Sequence, residues 1–231
     1  MIALSTSPSD PSQLTLGMLL YPGFTLLDLA GSHAALGFHG RTLLLSKTRD
    51  PVATDSGVTI NPNTLLCECP EPLDVLMIPG GFGTDAVLED EEIVTAVAHI
   101  GRTARYVTSV CSGSLILAKA GLLDGYRATT HWALHDRLAN STAVAVRERV
   151  VVDGNRITGG GVTAGIDFGL TLLAELRGEE PAKLTQLMME YDPAPPFDSG
   201  TPEKAGPELT ILALQSIGVA MEPIMAAADA A

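Results

Sequence analysis

Between residues 105 and 120 the chain changes its period at a single point. That change constrains the fold more than any other feature. After Arg105, residues 106–110 are β-branched, aromatic or small, and 105–110 with no break predict a short buried strand. From Ser112 the residues are small and helix-forming, with Leu115, Leu117 and Ala118 on a helical period. Cys111 lies at the junction, followed by Ser112-Gly113-Ser114. A cysteine caught between strand and helix occupies a nucleophile elbow, the tight turn that lifts a side chain clear of the backbone. Helix amides behind the sulfur favour negative charge, so the expectation is a thiol with a lowered pKa. The competing reading is a small buried core cysteine. A core residue has no need of a Ser-Gly-Ser turn at a helix start, which favours the nucleophile.

The rest of the chain repeats the alternation. Strands are expected at 14–20, 42–46, 73–79, 105–110 and 127–130, with short extended segments around Gly57 in 52–60. Helices are expected at 25–38, 91–100, 132–138, 164–176 and 181–191, and from about Glu208 onward. Residues 150–152 and 156–158 flank Asp153-Gly154-Asn155 as a hairpin. Residues 192–207 are Pro-rich and read as irregular. This order predicts an α/β fold: a doubly wound, mostly parallel sheet with helices on both faces, its elbow at the carboxyl edge of the strands. Residues 1–13 read as a disordered leader and 14–231 as one domain.

A net charge of −13 argues against nucleic acid and against an anionic membrane surface as partners. Three cysteines, at 67, 69 and 111, do not make a secreted disulfide framework, and Cys67 and Cys69 read as incidental loop residues. The first thirteen residues hold no Lys or Arg and are not a signal peptide, and no apolar stretch reaches transmembrane length. A cytoplasmic protein is the expectation.

Three loops leave strands at the expected edge: 21–28, 79–83 and 110–113. They supply one acid, one glycine pair and one thiol. Asp28 is flanked by Leu26, Leu27, Leu29 and Ala30. It is either a helix-start carboxylate facing water or a desolvated acid beside the thiol, and the shared edge with Cys111 favours the second. Gly80 and Gly81 offer backbone amides to a developing negative charge, or simply make a tight turn. The Ser112 hydroxyl is available to orient substrate or water. His131 and His135 are four apart, but no Glu follows His131 and no third ligand is evident, so no metal site is expected. His131 is expected to line the pocket or to bond to backbone.

Taken together, Ile78-Pro79-Gly80-Gly81, the elbow Thr108-Ser-Val-Cys-Ser-Gly-Ser-Leu115, Ala120-Gly-Leu-Leu123, Arg127-Ala-Thr-Thr-His-Trp132 and Thr158-Gly-Gly-Gly-Val-Thr-Ala-Gly-Ile-Asp-Phe168 resemble the ThiJ/PfpI superfamily. The likeness runs from about residue 14 to about 200. Within that superfamily the chain is most similar to the isocyanide (isonitrile) hydratases. The features that carry this are Asp28, a hydroxyl after the nucleophile, and Glu190-Tyr-Asp-Pro-Ala-Pro-Pro-Phe197. Three departures stand out: Ser112 where the family elbow has Thr, Gly31-Ser32 where the first loop usually ends Gly-Pro, and a different segment 36–42.

The resemblance implies hydration of an isonitrile to an N-substituted formamide, with Cys111 as nucleophile, Asp28 as general acid and base, and Ser112 assisting. It implies a small apolar pocket built from Gly80, Gly81, Leu27, His131, Trp132, Gly160 and Val162. It implies no cofactor, a small-molecule isonitrile as the partner, and a homodimer. Relatives that are transcription regulators append a helix-turn-helix module, and no such module is expected here. Two alternatives stay open: a glyoxalase-like thiol enzyme acting on small aldehydes, and a non-catalytic redox sensor in which Cys111 is oxidised reversibly.

Overall fold

In the computed structural model residues 13–228 are described, with no account of side chains beyond residue 218. The expected leader therefore lies, apart from Gln13, outside the described residues. Eleven strands are found among the described residues: β1 (Leu14–Leu19), β2 (Gly40–Ser46), β3 (Val52–Ala53), β4 (Thr59–Ile60), β5 (Thr64–Leu65), β6 (Val75–Ile78), β7 (Tyr106–Val110), β8 (Arg127–Ala128), β9 (Val144–Ala145), β10 (Val150–Asp153) and β11 (Arg156–Gly159). The helices are α1 (Leu26–Leu36), α2 (Thr84–Glu89), α3 (Glu91–Thr103), α4 (Gly113–Lys119), α5 (His135–Ala139), α6 (Ala164–Arg177), α7 (Glu179–Met188), α8 (Pro202–Ala205) and α9 (Pro207–Ala228).

Seven strands form the central sheet in the order β10-β11-β7-β6-β1-β2-β5. Every pairing in it is parallel except β10 with β11, the hairpin that closes one edge. The doubly wound architecture is the expected one. All four residues of β6 are buried, as are Val107–Val110 of β7, because helices cover both faces.

Some elements differ from expectation. The helix after β1 ends at Leu36 in a turn of 3-10 helix, and a second 3-10 turn (Trp132–Leu134) precedes a shorter α5. The Pro-rich stretch contains α8, started by Pro202 at its first position and capped by Thr201, whose hydroxyl accepts from the Lys204 amide. Strand β5 and helix α2 were not anticipated. They are two and six residues long, too short to show a period.

Two packing features place the site. Helix α1 lies against α6 at glycine positions, where a methyl on Gly169 would sit 2.8 Å from the Ala35 Cβ. The loops after β1 and β6 are stitched together: the Thr25 amide donates to the Gly80 carbonyl (2.8 Å), the Gly83 amide donates to the Gly23 carbonyl (3.1 Å), and Phe24 bridges to Gly81. The carboxyl ends of adjacent strands thus meet in one crevice.

Candidate active site

Cys111 follows β7 with φ at +57°, one of two non-glycine residues with positive φ among the described residues. That left-handed conformation costs a residue with a side chain on the order of 1–3 kcal/mol. Its surroundings hold it there. The Cys111 amide donates to the Gly159 and Gly160 carbonyls at 3.1 and 2.7 Å. Its carbonyl accepts from the hydroxyls of Thr130 (3.0 Å) and Ser114 (3.3 Å). Gly113 lets α4 start against β6: a Cβ there would lie 2.2 Å from the Ile78 carbonyl oxygen. The elbow read from the sequence is present.

Asp28, on the first turn of α1, is fully buried. Its Oδ2 accepts from the Gly80 amide at 2.8 Å. Its Oδ1 is buried with no hydrogen-bond partner. Burial raises this carboxyl to about 7, the Asp55 charge adds to the rise, and the Gly80 amide opposes it.

The sulfur departs from the expectation of a lowered pKa. Burial pushes the Cys111 thiol up, and the nearby Asp28 and Asp55 charges add to that. The Ser112 amide and hydroxyl pull the other way. One seven-residue helix behind the elbow does not outweigh desolvation together with a facing carboxylate. The pair is thus a thiol whose ionisation burial disfavours, beside a carboxyl raised to about 7. Because the two charges act on each other, their titration belongs to the pair.

The glycine amides are also used differently from expectation. The Gly80 amide holds Asp28, and the Gly81 amide donates to the Ser112 Oγ at 2.9 Å. Neither is open as an oxyanion donor; they fix the acid and the hydroxyl that flank the sulfur. Ser112 Oγ also lies 2.7 Å from the Thr84 Oγ1, which is 2.7 Å from the Gly81 carbonyl and 3.3 Å from the Tyr21 hydroxyl. Tyr21, fully buried, donates to the Pro79 carbonyl (2.9 Å).

A cavity of about 180 Å³ opens on Cys111 and Ser112. Gly81, Phe82, Thr84, His131, Ala133, Leu134 and Val162 line it, and Asp55, Asp85 and Arg137 also border it. Arg137 pairs with Asp85 at 2.5 Å. Thr25 donates from its hydroxyl to Asp55 at 2.5 Å.

Of the sequence-selected pocket residues, Gly81, His131 and Val162 line this cavity. Burial lowers the His131 pKa, and its Nδ1 accepts from the Ala133 amide at 3.3 Å. Leu27 does not line it. It is 40% exposed and borders a neighbouring depression with Thr25 and Asp55, because the α1 face that turns Asp28 inward turns Leu27 outward. Trp132 packs against the His131 ring at a tilt, centroids 5.4 Å apart and planes 38° apart, and is not among the lining residues. Gly160 contributes its carbonyl to the Cys111 amide rather than a pocket wall. His135 turns to the Val146 carbonyl at 2.9 Å.

The sequence reading missed Thr84 and Tyr21, whose contacts span 28 to 63 residues. It also missed Ile217 on α9, which completes the cavity wall from 55 residues beyond Val162. The Glu190–Phe197 stretch is anchored by the Tyr191 hydroxyl, which donates to the Asp167 Oδ2 (2.9 Å); Arg149 Nε donates to the same oxygen (2.8 Å).

The model of the DJ-1/PfpI family matches residues 18–175. Among curated proteins, an isonitrile hydratase of Pseudomonas putida is 50% identical over 194 residues, covering 83% of this chain and 85% of that one. The HTH-type transcriptional regulator CdhR of Pseudomonas aeruginosa is 33% identical over 176 residues, which is 71% of this chain but 51% of the regulator. A crystal structure of a THiJ/PfpI family protein from Pseudomonas syringae superposes with a TM-score of 0.88 at 42% identity, covering 94% of this chain and 95% of that one. Among the described residues, no helix is long and apolar enough to cross a membrane.

Proposed function

This chain belongs to the DJ-1/PfpI family, and we propose that within it the protein is an isonitrile hydratase. The observation that carries the reading is the buried, unpartnered Asp28 Oδ1 beside a buried neutral thiol. An isonitrile carbon is the electrophile that needs both groups at once, since it accepts a nucleophile and a proton on the same atom.

The chemistry balances with the groups at hand. Asp28 Oδ1 takes the Cys111 proton as the sulfur attacks the terminal carbon, then delivers that proton to the same carbon. The product is a thioimidate, R–N=CH–S–Cys111. Asp28, again a carboxylate, removes a proton from water as the oxygen adds to that carbon, and the proton passes to nitrogen. Collapse of the tetrahedral adduct expels the sulfur, which takes the hydroxyl proton, and releases R–NH–CHO. A thiolate facing a carboxylic acid has the same proton count as a thiol facing a carboxylate, so the raised thiol pKa is compatible with the step. The small apolar cavity suits the N-substituent of a neutral isonitrile. The same reading carries a cytoplasmic location and a homodimer, the latter supported by the exposed apolar side chains of Leu184, Leu187 and Leu212.

The test is an assay of the purified protein with an alkyl and an aryl isonitrile, following formamide, against methylglyoxal as the aldehyde control. Formamide formation that depends on Cys111 is expected. Turnover of the aldehyde alone would move the reading to carbonyl chemistry. Turnover of neither would favour the redox sensor.

A further inference from the structure

Asp55 borders two spaces at once. It lines the cavity that opens on Cys111, and with Thr25 it also lines the neighbouring depression that Leu26, Leu27, Ala30 and Ser56 complete. It sits in the turn between β3 and β4, and the loop after β1 holds it there. Its amide donates to the Phe24 carbonyl at 3.0 Å, and its Oδ2 accepts from the Thr25 hydroxyl at 2.5 Å. The chemistry proposed above does not use it.

The charge of Asp55 is uncompensated. Asp85 and Arg137, the other ionic side chains at the cavity border, pair with each other at 2.5 Å. Among the described residues no Lys or Arg pairs with Asp55, and its Oδ1 receives no hydrogen bond. Burial lowers the His131 pKa, so that ring adds no positive charge at neutral pH. The rest of the wall is apolar, with Phe82, Leu134 and Val162. A primary ammonium would lose its hydration against such a wall. A quaternary ammonium is weakly hydrated, and its methyl groups suit apolar and aromatic surface.

We propose that Asp55 is a specificity-determining residue: its uncompensated carboxylate, on the border shared by the two spaces, favours isonitriles whose N-substituent carries a quaternary ammonium over those that carry a carboxylate. The inference rests on the hydratase reading for the reacting carbon and extends it to the other end of the substrate. A neutral alkyl substituent meets the same wall without the attraction.

Two readouts test it. The first is the ratio of kcat/KM for 3-(trimethylammonio)propyl isonitrile to that for its neutral isostere, 4,4-dimethylpentyl isonitrile. Taking a ratio cancels any effect of a variant on the floor. Asp55→Asn is expected to lower the ratio about three- to fivefold, the scale of a partly exposed ion pair. Asp55→Glu should keep it within about twofold. Glu175→Gln, exposed on α6 and not bordering the cavity, changes net charge equally and should leave it unchanged. Salt at about 0.5 M should lower the wild-type ratio by screening, an arm that needs no variant.

The second readout needs no isonitrile. Cys111 is labelled with a trimethylammonioethyl and a sulfonatoethyl methanethiosulfonate, each rate divided by that with 2-mercaptoethanol, and mass spectrometry assigns the label. The cationic reagent should be favoured in wild type, and Asp55→Asn should lower that preference. An unchanged ratio in Asp55→Asn, in either readout, overturns the proposal. So does an equal fall in Glu175→Gln, which would make net charge the cause. A preference of the wild type for the anionic reagent overturns it too and points to Arg137. If neither isonitrile turns over but the labelling preference falls in Asp55→Asn, the hydratase reading fails and the selection for cations by Asp55 stands.

Discussion

The floor and the wall of the cavity are built on different principles. At the floor, Gly81, Ser112 and Thr84 line the cavity and are joined by hydrogen bonds of 2.7–2.9 Å, while Asp28 and Gly80, buried outside that lining, share a bond of 2.8 Å, and the exception is one carboxylate oxygen. On the wall, Ala133, Leu134, Val162 and Ile217 offer apolar surface from a 3-10 turn, a loop and the C-terminal helix. The floor is made by loops of adjacent parallel strands and is rigid for that reason. The wall is assembled from more distant segments; of these only the Val162 loop follows a strand of the same sheet, β11 beside β7, while the 3-10 turn and α9 have no strand pairing with the floor. Reaction class therefore belongs to the floor, and the choice among substrates of that class belongs to the wall.

The sharpest break of this division is on the floor. Cys111→Ala is expected to abolish hydration while retaining the fold, since the side chain sits at the elbow and only its backbone holds the turn. A slow isonitrile should leave its mass on Cys111 and not on Cys67 or Cys69. Appreciable turnover by the alanine variant would end the covalent reading.

Asp28→Asn separates chemistry from stability. Turnover is expected to fall by at least about a hundredfold, the usual scale of general acid–base catalysis. Stability should move the other way. A carboxyl held near 7 in the folded chain binds its proton more tightly than in the unfolded chain. Its contribution is fully present below the ordinary carboxyl range and is lost as pH rises toward 7. The asparagine variant should therefore be more stable than wild type at pH 8, on the order of 2–4 kcal/mol, and not at pH 4. Denaturant midpoints at the two pH values measure this. Equal midpoint differences at both would mean that Asp28 is not the group that titrates.

The same carboxyl sets the acid limb of activity. The mechanism needs one proton on the Cys111–Asp28 pair, so kcat/KM should fall about tenfold per pH unit below about 7 and level off above it. A profile flat from pH 5 to 8 would remove Asp28 as the group that accepts the sulfur's proton.

How much of this was legible in the sequence follows the same division. The strand-to-helix change at Cys111, the glycines after β6 and the acid on α1 could all be read because each sits within a few residues of a strand end, where period and turn chemistry are local signals. The partners of those groups could not. Nothing in Gly80-Gly81 says that both amides are already committed, because their acceptors lie 52 and 31 residues away. Leu27 and Trp132 were expected in the pocket, whereas the orientation of α1 turns Leu27 outward and Trp132 packs against the His131 ring. The sulfur's titration was misread for the same reason: a helix start is visible in sequence, but the burial and facing charge that oppose it are tertiary.

A smaller effect is expected at Ser112. Ser112→Ala leaves the part-buried Gly81 amide without its acceptor, a loss worth about 1 kcal/mol. It should slow hydration, whereas Ser112→Thr keeps the oxygen and should retain or improve it. Equal rates for Ala and wild type would take the hydroxyl out of the mechanism and leave only the amide.

The smallest effect, and the one that tests the wall, is at Ile217. Its neighbours on α9, Ile211, Leu212 and Leu214, are exposed, and Ile217 itself is half-buried against the cavity. Trimming it to Ala removes apolar surface from the wall without touching any hydrogen bond of the floor. Turnover of methyl isonitrile should then stay within about twofold of wild type. An aryl isonitrile should change in kcat/KM by roughly 3–10-fold, the scale on which an apolar pocket discriminates by size. The acid limb near pH 7 should not move, because Asp28 is untouched. A shift of that limb in Ile217→Ala would show that the wall acts on the floor. An unchanged ratio between the two substrates would place the N-substituent against some other surface, with Phe82 and Leu134 the remaining apolar candidates of comparable size.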